Sequence, residues 1–125
     1  NLKPSVTIDE LHTAKNIINN IHISDNLQEY IISLIFATRN PNKYNLKDLT
    51  NLINFGASPR ATIFLSRASK SLAFINKRGF VIPEDIRNVG KAILRHRIIL
   101  SYEAEAEELT SDDIIDRIFE SVPIP

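Results

Sequence analysis

The sequence has 125 residues, of which 15 are basic and 15 acidic, so its formal net charge is zero. It contains no cysteine, which excludes disulfide bonds, thiol chemistry and sulfur-based metal sites, and no apolar run is long enough to span a membrane. The chain starts with Asn1 and shows no signal peptide, and we therefore expect a cytoplasmic fragment, the C-terminal part of a longer protein.

Charge is segregated along the chain in spite of the zero total. Residues 60–97 carry nine basic and two acidic side chains, a net charge of +7, whereas residues 98–125 carry one basic and eight acidic side chains, a net charge of −7. We expect the two segments to attract one another, within the chain or between neighbouring subunits. The acidic segment would repel phosphates, which argues against uniform nucleic-acid binding.

The N-terminal part of the sequence predicts a linker and then a helix. Residues 1–6 are expected to be the linker, and residues 7–125 a single helical domain. Thr7 and Glu10 have the spacing of a capping box. Apolar residues at helical spacing predict a helix over residues 8–20; they are Leu11, Ala14, Ile17, Ile18 and Ile21.

A second helix follows a brief extended segment at residues 21–23. It is predicted to begin at Ser24 or the next residue and to end near Pro41. Its expected buried residues are Leu27, Tyr30, Ile31, Leu34, Ile35 and Thr38. Residues 40–45 form a polar loop, and residues 46–54 a short helix. That short helix would bury Leu46, Leu49, Leu52 and Ile53.

The central helix is predicted to run from Pro59 to about Lys77. Ser58 is a good N-cap, because its hydroxyl can accept from a free backbone N–H, and Pro59 suits the first helical position. Basic residues followed by Gly79 predict the C-terminal end, with Gly79 at the position after the cap. The core stripe is expected to comprise Ala61, Leu65, Ala68, Leu72 and Ile75.

The C-terminal part predicts two more helices. One begins at Pro83 and is held by packing, since Ile82 is a poor cap; Gly90 within it indicates close contact with another backbone. Its inward residues are expected to be Ile86, Val89 and Ile93. Residues 95–100 are predicted to form a short strand. Residues 102–109 are interpreted as an acidic, solvated loop, and the less favoured alternative is a surface that binds a partner. The last helix buries Ile114, Ile115, Ile118 and Phe119 behind a cap at Thr110 and Ser111.

These elements predict an all-α protein, a small bundle of five or six helices with at most one very short β pairing. The three histidines, His12, His22 and His96, lack the spacing of metal ligands, so no metal site is predicted. The sequence also lacks a nucleophile elbow and a glycine-rich phosphate loop with lysine. The segment therefore cannot cradle a nucleotide alone.

Arg60 occupies an unusual place, the first turn of the central helix. The helix dipole puts partial positive charge there, which disfavours a cation. Either the side chain extends into solvent, as most arginines do, or a negative ligand shares this helix end. A phosphate would satisfy the exposed backbone N–H groups, the dipole and the guanidinium together.

A second basic feature is the stripe Arg87, Lys91 and Arg95, spaced by four residues. We interpret it as a solvated helix face. The alternatives that would give it a function are a contact with another subunit and a nucleic-acid-binding surface. The basic run that starts at Arg95 could also pair with the acidic segment, where Glu103 and Glu107 are the candidates.

Four motifs occur in order along the chain: Ala37-Thr38-Arg39, residues 56–61 (Gly-Ala-Ser-Pro-Arg-Ala), residues 78–86 and residues 93–98. Together they resemble the C-terminal helical lid of MoxR-type AAA+ ATPases, a resemblance that extends over residues 6–125. The sequence departs from the family at two points. The family usually has a polar cap where Ile82 stands, and often has Leu-x-Gly-Arg where this chain has Ile-Asn-Lys-Arg at residues 75–78.

The resemblance implies that Arg60 is the sensor-2 arginine, which contacts the γ-phosphate of ATP, and that Ser58, Pro59 and Ala61 belong to the same nucleotide site. It implies ATP and Mg²⁺ as cofactors, bound mainly by an ATPase core domain that precedes residues 1–6. It further implies ATP hydrolysis by the complete protein but not by this segment alone.

The resemblance also implies partners: the lid's own AAA+ core and neighbouring subunits of a ring, often hexameric. Chaperone-like remodelling of other proteins, among them von Willebrand A-domain proteins, is the implied role. Two alternatives stand beside it: a helical nucleic-acid-binding module that uses Arg87, Lys91 and Arg95, and an interaction domain without a ligand.

Overall fold

The computed structural model describes residues 2–125. In this range there are six α-helices: α1 (Ile8–Asn19), α2 (Asp25–Arg39), α3 (Ala61–Ile75), α4 (Pro83–Leu94), α5 (Tyr102–Ala106) and α6 (Ser111–Ser121). Two 3-10 turns, Pro41–Tyr44 and Lys47–Leu49, and two short strands, β1 (Ile53–Phe55) and β2 (Ile99–Leu100), complete the fold. The prediction of a small helical bundle is confirmed.

Side-chain caps fix the starts of several helices, as their sequences predict. The Thr7 hydroxyl accepts from the Glu10 N–H while the Glu10 carboxylate accepts from the Thr7 N–H, and the Ser24 hydroxyl caps α2. Thr110 and Asp113 form a second reciprocal box before α6. These bonds satisfy N–H groups that a helix leaves without intrahelical partners.

The core lies around α2, which packs against α3, α6 and β1, while α3 packs along α4. All the residues predicted to be buried in α2 and α6 are buried. The side chains that are almost completely enclosed include Ile31, Leu34, Ile35, Leu65, Ile86, Leu94, Ile114, Ile115 and Ile118. One continuous apolar core therefore joins α2, α3 and α4 to the C-terminal helix α6.

The prediction of a short helix over residues 46–54 is wrong. Residues 47–49 form only a 3-10 turn, and residues 53–55 form β1, which pairs antiparallel with β2. Part of the predicted polar loop, residues 41–44, is a 3-10 turn as well. Three buried leucines explain the difference, because they recur every third residue, the period of a 3-10 turn rather than of an α-helix; they are Leu46, Leu49 and Leu52.

The end of α3 also differs from its prediction. The residue in the left-handed conformation is Lys77, with φ of 60°, and no described glycine has positive φ. The Lys77 N–H donates to the Phe74 carbonyl and the Arg78 N–H to the Ala73 carbonyl, both at 2.9 Å, which is a Schellman motif. Lys77 thus stands where the lids that this chain resembles often have glycine.

The buried face of α3 is rotated relative to the predicted stripe. Ala61 and Leu65 are buried, but the face then continues through Ser69 and Ala73, while Ile75 is exposed. Ser69 is tolerated there because its hydroxyl donates to the Leu65 carbonyl at 2.7 Å.

Helix α4 is fastened by more than packing. The Asp85 carboxylate accepts from the Ile82 N–H at 2.9 Å and from both terminal nitrogens of Arg78, at 2.5 and 2.7 Å. Of its predicted inward residues, Ile86 is buried, and Val89 and Ile93 are partly buried against the core. The close neighbour of Gly90 is the ring of Phe119 and not a backbone, since a Cβ there would lie 2.6 Å from the ring.

The acidic side chains of residues 102–109 are exposed as expected, but Ala104 among them is buried and the first part of the run is helical. Residues 102–106 form α5, capped by the Ser101 hydroxyl, which accepts from the Ala104 N–H. The extended segment at residues 21–23 is confirmed by a parallel bridge between His22 and Phe80.

Helix α1 has no buried residue, and its apolar side is largely open. Leu11 is 58% exposed and Ile17 49% exposed, although their spacing is that of a helix face that packs. Only Ile21, just beyond the helix, is buried. An apolar surface is thus left uncovered along this helix.

Candidate functional site

The site is built on the loop of residues 56–60, which leads from β1 into α3. Helix α3 begins at Ala61, two residues later than predicted, and Arg60 is the residue before it, with helical φ and ψ of −61° and −21°. The Ser58 hydroxyl accepts from the Arg60 N–H at 3.3 Å. Ser58 therefore caps a tight turn that precedes the helix, rather than the helix itself.

The backbone of this turn is satisfied within the chain. The N–H groups of Ala61, Thr62 and Ile63 donate to the carbonyls three residues before them, at 2.8, 3.1 and 3.0 Å. The expectation that exposed N–H groups await a phosphate at this helix end is therefore wrong, because 3-10-type bonds have taken those donors. An anion at this position would have to be bound by the Arg60 side chain.

Arg60 is exposed, as are Ser58 and Pro59 beside it, whereas Ala61 is fully buried. Four salt bridges occur within residues 2–125, and Arg60 takes part in none of them. Its guanidinium thus carries a positive charge with no carboxylate of the described chain at ion-pair distance. Ala61 faces the core, so its side chain helps to seat the helix.

Two consecutive residues at the end of α2 hold this loop. The Thr38 hydroxyl accepts from the Ala57 N–H at 2.9 Å and donates to the Ile35 carbonyl at 2.6 Å. A terminal nitrogen of Arg39 donates to the Ala57 carbonyl at 3.2 Å. Both backbone polar groups of Ala57, a completely buried residue, are therefore bound by α2.

Gly56 lets the loop approach α2 this closely. A Cβ at Gly56 would lie 2.7 Å from the Thr38 carbonyl carbon and 2.9 Å from the Arg39 Cα, closer than real side chains come. The role of glycine here is close approach and not backbone freedom, since its φ is not positive. The motif around Thr38 was visible in the sequence, but its connection to this loop was missed. The available signal was a threonine on an otherwise apolar buried stripe.

The basic stripe of α4 is occupied by other contacts. Lys91 pairs with Asp116 at 2.7 Å, Arg95 binds Asp112 through two bonds of 2.8 and 3.0 Å, and Arg87 lies 5.9 Å over the Phe119 ring. Glu103 and Glu107 were therefore the wrong partners for Arg95. The hydrogen bond that the Lys91 ammonium donates to the Asp116 carboxylate raises the pKa of Lys91.

These contacts join the basic and acidic segments within the chain, as their opposite charges predict. Phosphate binding by this stripe would have to compete with α6 for the same cations. The nucleic-acid alternative thus loses the free basic face on which it was based.

No group of three or more His, Asp or Glu side chains that could hold a metal ion occurs among residues 2–125. Within the same range, every helix is too short or too polar to cross a membrane.

Comparison with known proteins adds a family assignment. Residues 48–118 match the model of the AAA lid domain. Chaperone MoxR1 of Mycobacterium tuberculosis is 34% identical over 98% of this chain and 33% of its own length. Protein MoxR of Paracoccus denitrificans is 36% identical over 90% of this chain and 34% of its own length.

Among solved structures, a candidate ATPase from Cytophaga hutchinsonii matches with a TM-score of 0.85 and 50% identity. The match covers 88% of this chain and 33% of that one. The chain thus spans about a third of the length of each of these relatives.

Proposed function

The chain belongs to the AAA lid domain family, as the lid of a MoxR-type AAA+ ATPase, and from this we propose that Arg60 is its sensor-2 arginine. In this proposal Arg60 contacts the γ-phosphate of ATP, which a core domain elsewhere in the protein binds with Mg²⁺. The observation that carries the proposal is an exposed guanidinium without a carboxylate partner, placed on a loop that α2 holds by hydrogen bonds.

The chemistry follows from the guanidinium. ATP with Mg²⁺ supplies the bond to be broken, and Arg60 supplies up to five fixed N–H donors for phosphate oxygens. Negative charge shifts among these oxygens during phosphoryl transfer, and a cation already in place stabilises it without rearrangement. Loss of the γ-phosphate removes the partner of Arg60, so the lid can change orientation with the nucleotide state.

The test is Arg60→Ala in the complete protein. We expect kcat for ATP hydrolysis to fall by about a hundredfold, while nucleotide affinity changes little because the core domain holds most of the ligand. Turnover and the dissociation constant of a labelled ATP analogue are the measurements. Arg60→Lys should recover little activity, because an ammonium cannot reproduce the planar fork.

Arg67→Ala is the matched control for this test. Arg67 is an exposed arginine of α3, about two helical turns after Arg60, and it too takes part in no salt bridge within residues 2–125. Its removal changes the net charge by the same amount and should leave kcat within about twofold. Full turnover in Arg60→Ala would contradict the sensor role.

We further propose that the lid works within a ring of subunits in a cytoplasmic chaperone-like ATPase that remodels partner proteins, von Willebrand A-domain proteins being one class. One relative is named a chaperone, which supports the role. The open apolar side of α1 supports docking against another domain or subunit, because contiguous exposed apolar surface marks interfaces. Sedimentation of the complete protein with and without ATP measures the assembly.

A further inference from the structure

We propose that Thr38 is a positioning residue for Arg60, acting through the backbone of Ala57. This inference rests on the proposed role of Arg60 and adds the hydrogen bonds that determine where its guanidinium lies. Thr38 lies at the end of α2, and 22 positions of chain separate it from Arg60. The two are brought together because the loop of residues 56–60 folds back onto α2.

The Thr38 hydroxyl has a fixed direction. It is 1% exposed, and its proton is directed to the Ile35 carbonyl, 2.6 Å away. A lone pair of the same oxygen is then left for the Ala57 N–H at 2.9 Å. Serine or threonine is thus required in this place, because one group must donate to the helix and accept from the loop.

The position of Ala57 determines that of Arg60 because little freedom lies between them. Pro59 has a fixed φ. The Arg60 N–H is bonded to the Ser58 hydroxyl, and the Ala61 N–H to the Ser58 carbonyl. The turn therefore moves as a unit, and a shift at Ala57 is carried to the start of α3.

Loss of the hydroxyl would displace the loop outward. The Ala57 N–H would be buried without an acceptor, which costs more than the bond itself contributes. Gly56 lies so near the backbone of Thr38 that not even a Cβ would fit between them, so the loop has little room to move inward to another partner. The Arg39 bond to the Ala57 carbonyl, at 3.2 Å, would remain as a single and longer contact.

The experiment compares three variants of the complete protein: Thr38→Val, Thr38→Ser and Ser69→Ala. Valine keeps the shape of threonine but removes both hydrogen bonds, and we expect kcat to fall between about tenfold and a hundredfold with nucleotide affinity retained, since small misplacements of a catalytic group cost this much. Serine keeps the hydroxyl and should restore kcat to within about threefold.

Ser69→Ala controls for lost stability alone. Ser69 is a fully buried hydroxyl that donates to a helix carbonyl, as Thr38 does, but it contacts no residue of the loop by hydrogen bond. It should lower the thermal unfolding temperature without lowering kcat. A loss of kcat in Ser69→Ala equal to that in Thr38→Val would overturn the inference.

A double-mutant cycle tests whether Thr38 acts through Arg60. In an Arg60→Ala background, Thr38→Val should cause no further loss of kcat, because the group that it positions is gone. Independent losses that multiply would overturn the inference. Hydrogen exchange measured by mass spectrometry on the peptide of residues 56–61 should be faster in Thr38→Val and unchanged in Ser69→Ala.

The cycle also separates this inference from the function on which it rests. If Arg60→Ala hydrolyses ATP at the normal rate, the sensor role fails and the positioning role fails with it. If Arg60→Ala is slow but Thr38→Val is normal, the sensor role stands and only the positioning role is overturned.

Discussion

At the scale of single residues, the role of a charged side chain in this molecule depends on its burial and on its partners. Asp85 is 1% exposed, yet its pKa lies below the ordinary value of an aspartate. Burial pushes the pKa up, but the hydrogen bonds from Arg78 and from the Ile82 N–H outweigh it. The carboxylate therefore stays charged and joins the end of α3 to the start of α4. Arg60 is the opposite case, an exposed cation with no carboxylate partner in the described chain.

Asp85→Asn should destabilise the domain by about 2–3 kcal/mol at neutral pH, because Arg78 loses its charged partner. Since the pKa is lowered by folding, the stabilising effect is present above the unfolded pKa of about 3.9 and is lost as the pH falls through the folded value. The difference in unfolding free energy between wild type and variant should be constant above about pH 5 and shrink below about pH 4. Denaturant unfolding at several pH values measures it.

Glu84→Gln is the matched control, as Glu84 is an exposed acid in the same first turn. It should change stability by less than about 0.5 kcal/mol. A difference between wild type and Asp85→Asn that grows on acidification would contradict the assignment.

At the scale of elements, helix ends are determined by backbone hydrogen bonds more than by the nearest glycine. The sequence predicts that Gly79 ends α3, but the left-handed residue is Lys77, because the bonds to the Ala73 and Phe74 carbonyls end the helix two residues earlier. A non-glycine residue in this conformation costs about 1 kcal/mol or more. The departure from the family pattern at residue 77 therefore leaves a small, local strain.

Lys77→Gly should stabilise the domain by about 0.5–1 kcal/mol, since relief of this strain exceeds the extra freedom that glycine gives to the unfolded chain. Equilibrium unfolding in urea measures the change. Gly79→Ala provides the contrast: its φ is not positive and an added Cβ would meet no atom within 4 Å, so it should be tolerated. Destabilisation by Gly79→Ala above about 1 kcal/mol would mean that Gly79 is the left-handed residue after all.

At the scale of the whole molecule, two surface features lie outside the core: opposite charges on α4 and α6, and the apolar side of α1. Opposite charges on α4 and α6 are used within the chain, where Lys91 and Arg95 meet acids of α6. The apolar side of α1 is used only in part, since Ala14 and Ile18 are half-buried and α1 packs against α3, whereas Leu11 and Ile17 are exposed. The first feature closes the domain on itself, and the second leaves a surface for a neighbour.

Leu11→Asp should therefore leave the stability of the domain almost unchanged, because Leu11 is 58% exposed. In the complete protein it should weaken the docking of the lid or the assembly of subunits, as a buried charge at an apolar contact would. Thermal unfolding and sedimentation are the two measurements. Tyr102→Asp, at an aromatic residue that is 89% exposed on α5, is the control for an added surface charge. Normal assembly of Leu11→Asp would show that α1 is no interface.

Much of the fold could be predicted because its signals are local. Capping residues, apolar spacing and prolines define α1, α2, α4 and α6, and the order of four motifs identifies the family. The exposed position of Arg60 also follows from sequence, since a cation in a first helical turn has no reason to be buried.

The sequence alone did not reveal contacts between distant residues. The Thr38 hydroxyl accepts from the Ala57 N–H, Arg95 forms its ion pair with Asp112 rather than with Glu103, and β1 pairs with β2. In each case the partner is chosen by how the helices pack, which brings together residues 17 to 47 positions apart. Sequence patterns record what one turn of backbone prefers, whereas these partners depend on the free energy of the assembled core, which no local pattern contains.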